Sequence, residues 1–126
     1  MRLQRARALR RQQICAFQEG LAVITCVVSY VIDPAKIEAF EQFGRRWMEL
    51  VVQHGGVHHG YFLPAEGASD RALALFSFED LASYERYRGR FGTDPAFVAA
   101  DRIRDESHCV IRYERTFMRP LLPERS

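Results

Sequence analysis

Two adjacent histidines, His58 and His59, are the first residues in this chain whose types suggest chemistry. A histidine held in a cavity with a shifted pKa serves as a general acid or base near neutral pH. They lie in the stretch VHHGYFLPAEGASDRALALFSF, residues 57–78, which reads as two strands joined by a turn-rich loop. Successive side chains of a regular strand point to opposite faces. Only one of the pair is then expected to reach any one cavity, the other facing away. The competing interpretation is a hydrogen-bonded structural histidine near a strand end. His54, near the end of a helical stretch, adds no metal-ligand spacing, and no carboxylates complete a facial set. No metal and no cofactor are expected.

Tyr30, Trp47, Tyr61 and Tyr113 have the types and positions to line a ligand cavity, although aromatics at such spacings also build ordinary cores. Glu66, Ser69, Asp70 and Arg71 fall in the hairpin loop, where they are expected either as solvated turn charges or as a rim over a pocket mouth. Arg119, just past the last strand, suits a carboxylate ligand or a salt bridge across a dimer. Nucleophilic catalysis has little support. There is no Gly-x-Ser-x-Gly, Cys26 and Cys109 fall inside expected strands, and Gly55-Gly56 follows a helix whereas a phosphate cradle precedes one.

The elements that must position these residues follow from the hydrophobic pattern. Ala22–Ile32 is β-branched and aromatic on both sides of a strand. Asp33-Pro34 opens a helix, with Asp as cap and Pro in its first turn. Ile37, Phe40, Phe43, Gly44, Trp47, Leu50 and Val51 then recur at helical spacing. Ala72–Phe78 is almost uninterruptedly apolar, as in a strand covered on both faces. Leu81–Phe91 is a second helix, ended by Gly92, and Asp94-Pro95 starts a third helical stretch. His108–Phe117 closes the pattern as an edge strand, with Cys109, Ile111, Tyr113 and Phe117 on its apolar side. The order β-α-β-β-α-β is the ferredoxin-like plan, an α+β fold with one four-stranded antiparallel sheet and helices on one face. The helices leave the second apolar sheet face uncovered. A homodimer, sheet against sheet as a dimeric α+β barrel, is expected to cover it. In this topology Cys26 is expected opposite residues 114–116, too far from Cys109 for a disulfide.

The chain's 126 residues suit one domain. Residues 1–20 hold five arginines against Glu19, and the remaining chain carries 13 basic and 15 acidic side chains. That balance gives no electrostatic case for nucleic acid, and no apolar run is long enough to span a bilayer. Three widely spaced cysteines fit a reducing compartment, so a cytoplasmic location is expected. Residues 1–20 read as an Arg-rich N-terminal extension, 21–122 as the domain and 123–126 as a tail. For the extension, an upstream addition without structural role, a packing helix and an organelle-targeting peptide compete.

HHGYFLPAEGASDRALALFSF, followed by DLASYERYR and YERTFMRPLL, resembles bacterial members of the NIPSNAP family, and ITCVVSYVIDPAKIEAFEQFGRRW resembles that family's first strand and helix. The resemblance covers about residues 23–122. It implies a dimeric α+β barrel shared with small cofactor-free monooxygenases and related ligand-binding barrels, without implying an established reaction. The leading expectation is therefore a homodimer binding a small apolar or aromatic molecule. One alternative is cofactor-independent oxygenation of a quinol, with His58 or His59 as base. Another is a protein-interaction module using the edge strand or residues 1–20.

Overall fold

The computed structural model describes residues 23–123. The Arg-rich extension, Cys15 and most of the tail lie outside the described residues. Four strands form one antiparallel sheet: β1 (Ile24–Ile32), β2 (Val57–Phe62), β3 (Arg71–Phe78) and β4 (Val110–Met118), in spatial order β2-β3-β1-β4. Three helices, α1 (Ile37–Gln53), α2 (Leu81–Arg88) and α3 (Pro95–Ser107), complete the β-α-β-β-α-β plan, with α2 and α3 together in the second helical position. β4 is an edge strand, as its polar residues suggest. No helix among the described residues is long and apolar enough to cross a membrane.

The helix starts follow their caps. Asp33 accepts a hydrogen bond from the Ala35 backbone N–H at 3.0 Å, Asp80 from Ser83 at 2.7 Å, and Asp94 from Ala96 at 2.9 Å. Asp33-Pro34 opens a single 3₁₀ turn, Pro34–Lys36, and the α-helix begins only at Ile37. α2 ends at Arg88, three residues before the expected Phe91, with Gly89 as its cap. His108 belongs to the end of α3 and not to the last strand. Its φ of 57° places it in the left-handed cap position, so β4 starts at Val110.

One sheet face packs under the helices. Cys26, Val28, Tyr30 and Ile32 of β1 and Ala72, Ala74, Phe76 and Phe78 of β3 meet Phe40, Phe43, Trp47, Leu50 and Val51 of α1 in a continuous core. On the other face Val27, Val31, Leu73 and Leu75 are half-buried in the single chain. Burying one such aliphatic side chain fully is worth about 1.5–3 kcal/mol.

Two irregularities set which residues face where. In β2, His58 pairs with Phe76 and Gly60 with Leu75, so His59 is an extra, bulged residue. In β4, Arg112 pairs with Val31 and Val110 with Ile32, leaving Ile111 as the extra residue. Val110 therefore takes the helix-side position expected for Ile111, which is 62% exposed. Cys26 pairs with Phe117, one residue beyond the expected range, and Cys109 sits at the opposite end of β1, where its carbonyl accepts from Asp33 N–H at 2.9 Å. Both thiols are free and buried.

Candidate functional site

The bulge at His59 builds the site. In a regular strand, residues three apart face opposite ways. With one residue inserted, His58 and Tyr61 both face the helices, and their rings stack 5.2 Å apart at 9°. His58 also stacks on Phe76 at 5.6 Å, and Tyr61 on Tyr30 at 6.0 Å. Gly60 carries a φ of 111°, a conformation open to glycine and strained for other residues, and it supplies the kink. A second glycine makes room from the helix side. A Cβ on Gly44 of α1 would sit 3.2 Å from the Tyr61 ring, tighter than ordinary packing.

These residues wall a cavity of about 150 Å³ between helices and sheet. An apolar cavity of about that volume accommodates one benzene ring. Tyr30, Tyr61 and Tyr113 come from the sheet, Phe43 and Trp47 from α1, and Tyr84, Tyr87 and Phe91 from α2 and the segment after it. The charged lining residues are Arg88, Arg104, Arg115 and Asp101. They are exposed or half-buried while Val28 and Phe76 are buried, so the cavity has an apolar end and a charged, solvent-facing end.

His58 is held in one state. The Gly60 backbone N–H donates to its Nδ1 at 2.9 Å, so Nδ1 is an acceptor and the neutral ring carries its proton on Nε2. Burial, reinforced by neighbouring His59, lowers its pKa to about 4. At neutral pH His58 is thus an uncharged hydrogen-bond donor, the state that polarises a substrate oxygen without a net charge. Burial raises the Tyr30 phenol to about 12 and pushes Tyr61 and Tyr87 well up, so these hydroxyls stay protonated. Asp101 is pushed up by burial against the opposing pull of Arg104, which lies 3.6 Å away. The Trp47 indole N–H has no hydrogen-bond partner among the described residues, and the edges of Phe91 and Phe97 pack against its ring at 5.0 and 5.4 Å.

Of the residues singled out in the sequence, the structure brings His58, Tyr30, Trp47, Tyr61 and Tyr113 together in this cavity. His59 faces the opposite side of the sheet, where its Nε2 bonds Ser77 Oγ at 2.8 Å and Ser77 bonds Thr25 Oγ1 at 2.7 Å. Glu66 and Arg71 border a separate, open hollow beside Phe62, Leu73 and Glu114. Arg119 is exposed and lines neither space. Arg88, Asp101, Arg104 and Arg115 also line the cavity, although nothing singled them out in the sequence. Arg115 was discoverable, because it alternates with Tyr113 and Phe117 along β4. Asp101 and Arg104 carry no signal beyond helical spacing. Among the described residues no three His, Cys, Asp or Glu side chains are grouped to hold a metal ion.

The NIPSNAP family model matches residues 26–122, every strand but the start of β1 and every helix. The chain belongs to the NIPSNAP family. Solved NIPSNAP relatives share its fold. An uncharacterised NIPSNAP-like domain protein from Burkholderia xenovorans superposes with a TM-score of 0.68 at 20% identity, covering 84% of this chain and 91% of that one. The same fold extends beyond the family's own members. SnoaB, a cofactor-independent oxygenase from Streptomyces nogalater, matches with a TM-score of 0.62 at 20% identity, over 82% of this chain and 99% of SnoaB. A putative antibiotic biosynthesis monooxygenase from Caulobacter crescentus matches at 0.57 and 15% identity, over 82% and 93%. At these identities the likeness is one of fold. A search of curated proteins gave no match.

Proposed function

We propose that this NIPSNAP protein binds a small, single-ring aromatic molecule between its helices and its sheet. The observation that carries this is the cavity itself: one-ring volume, aromatic walls, and a neutral His58 fixed as a donor by Gly60. Such a site stacks a ring and gives one hydrogen bond to an oxygen on it. Titrating the full chain with phenol and hydroquinone, followed by thermal melting, is expected to raise the melting temperature in a saturable way. No shift with either, up to millimolar concentration, would overturn the proposal.

A second reading is cofactor-independent oxygenation of an electron-rich ring such as a hydroquinone. It is favoured by the fold shared with SnoaB and by His58, which stands in the cavity wall as a neutral hydrogen-bond donor. In this reading the substrate supplies the electrons to oxygen, and His58 Nε2–H stabilises the oxygen on which negative charge develops. Aerobic oxygen uptake with hydroquinone, lost in His58→Gln at unchanged stability, would support it. Binding without uptake would leave a ligand-binding protein.

The uncovered sheet face supports a homodimer. Phe62 and Met118, 52% and 55% exposed, flank the half-buried Val27, Val31, Leu73 and Leu75 on that face. A second copy placed sheet to sheet would bury on the order of 1,600 Å² or more. Sedimentation at micromolar concentration is expected to give a dimer, and a monomer would refute it.

A further inference from the structure

The charges at the solvent end of the cavity do not balance. Arg104 is committed to acidic partners, Asp101 at 3.6 Å and Asp105 at 3.1 Å. Asp101 is thereby engaged as well, with Arg115 a weaker influence on it. Arg88 and Arg115 remain, and among the described residues neither has a carboxylate within ion-pair distance. Each guanidinium instead lies over an aromatic ring, Arg88 5.0 Å from the Phe91 centroid and Arg115 5.8 Å from that of Tyr113. Phe91 and Tyr113 themselves line the cavity.

Arg115 is the more informative of the two. It projects from the helix side of β4, between Tyr113 and Phe117, and it is half-buried. A cation on the core-facing side of a strand loses hydration, and the Tyr84 hydroxyl and Tyr113 ring beside Arg115 replace only part of it in the absence of an anion. A guanidinium is also the side chain whose fork of donors matches a carboxylate in two parallel hydrogen bonds. His58, whose free ring nitrogen carries the proton, also lines the cavity, beside tyrosine hydroxyls that can donate or accept. The enclosed space is about one ring in volume.

We infer that the cavity selects a monocyclic aromatic carboxylate, its ring between the Tyr61, Tyr30 and Phe43 side and α2, its carboxylate on Arg115 and Arg88. This inference rests on the proposed binding of a ring in the same cavity and adds the charge the ring must carry. For the oxygenation reading it narrows the substrate class to hydroxylated benzoates.

Trp47 is the only tryptophan of the chain and stands in the cavity wall, so its fluorescence reports occupancy directly. The full-length protein is titrated with benzoate, with its uncharged isostere benzamide, with phenyl phosphate and with phenol. Benzoate is expected to saturate the signal at least about tenfold more tightly than benzamide, the difference one charge-assisted contact provides, and to weaken as salt rises. Arg115→Gln should weaken benzoate far more than benzamide and so remove that preference, while Arg102→Gln, on an exposed position of α3, should alter nothing. If Arg115→Gln fails to melt cooperatively, Arg88→Gln, at an exposed position, carries the same expectation. Equal binding of benzoate and benzamide overturns the charge selection and leaves ring binding intact. Tighter binding of phenyl phosphate than of benzoate overturns the carboxylate in favour of phosphate. Failure of all four probes, phenol included, overturns the cavity reading beneath both.

Discussion

The two faces of the sheet are built from the same strands and do opposite things. Toward the helices, Phe76 is buried at 7% exposure among rings; toward the outside its neighbour Leu75 is half-buried on a flat aliphatic surface. The inner face carries the cavity, His58, and the unpaired Arg115. The outer face carries Val27, Val31, Leu73 and Leu75 with Ser29 among them, and the hydrogen-bonded row His59–Ser77–Thr25 at one end. The difference shows that the cavity and the uncovered sheet face are separable here one residue at a time along a strand. It also shows that the parity of β2 is decided by a single inserted residue.

The sharpest break of that comparison is at Phe76 and Leu75. Phe76→Ala removes a ring from the core and a stacking partner of His58, and should cost about 3–5 kcal/mol of stability in denaturant melts. Leu75→Asp should leave the single-chain fold in place and reduce the sedimenting mass to that of one chain. If Leu75→Asp instead remains dimeric, the outer face is not the assembly surface.

Next in size is the bulge. Gly60→Val should cost about 1–3 kcal/mol, because φ of 111° strains a β-branched residue even though no atom lies within 4 Å of the new Cβ. Deleting His59 should be far milder. The strand then becomes regular, and His58, Gly60 and Tyr61 keep the faces they have now. Benzoate or phenol binding should survive the deletion, at the loss of one hydrogen bond to Ser77, about 1 kcal/mol. Loss of binding on deletion would mean that the bulge itself, and not the faces it assigns, shapes the cavity.

The faces should differ in pH response as well. His58 is folded with a pKa of about 4 against an ordinary 6.5, so the unfolded chain binds its proton more readily. Its contribution is complete above pH 6.5 and is lost as pH falls from 6.5 toward 4. After solvent screening for a half-buried ring, this amounts to about 1–2 kcal/mol. His59, also lowered by burial, adds in the same direction. His58→Gln should flatten most of the pH dependence of the melting temperature in that window; an unchanged slope would assign it to His59 and the outer face.

The smallest effect belongs to the hairpin loop. Arg71 pairs with Asp70 at 3.7 Å in full view of solvent, so Arg71→Ala should shift stability by less than about 0.5 kcal/mol. Ring binding in the cavity should not respond to it or to Glu66→Ala, as neither residue lines that space. A tenfold loss of ligand affinity in either variant would place a second binding surface on the outer hollow.

What could be read from the chain divides along physical lines. The apolar runs of β1 and β3 and the face of α1 are strong periodic signals, and they placed the elements and the helix-side aromatics. The Asp-Pro and Gly signals marked segment ends, but tertiary packing moved the ends by a few residues, as at Lys36, Arg88 and His108. The two strand bulges have no comparable signature. A regular strand puts His59 and Tyr61 on one face, and only the pairing of Gly60 with Leu75 puts His58 there in His59's stead. Nor does periodicity disclose pairs such as Asp101 and Arg104, whose significance comes from what faces them across the cavity.

The sheet order has a consequence in time. β1 lies between β3 and β4, so the first strand made takes the last as its neighbour, pairing Tyr30 with Tyr113 and Val28 with Arg115 across more than half the chain. On a ribosome, β1, α1, β2 and β3 can associate while β1 still presents an open edge of unpaired backbone groups. Tyr113 and Arg115 arrive only with the final strand, so the cavity is the last part of the domain to be completed. Released chains truncated before Val110 should therefore lack the completed cavity, and should be captured by any free strand that matches the waiting edge.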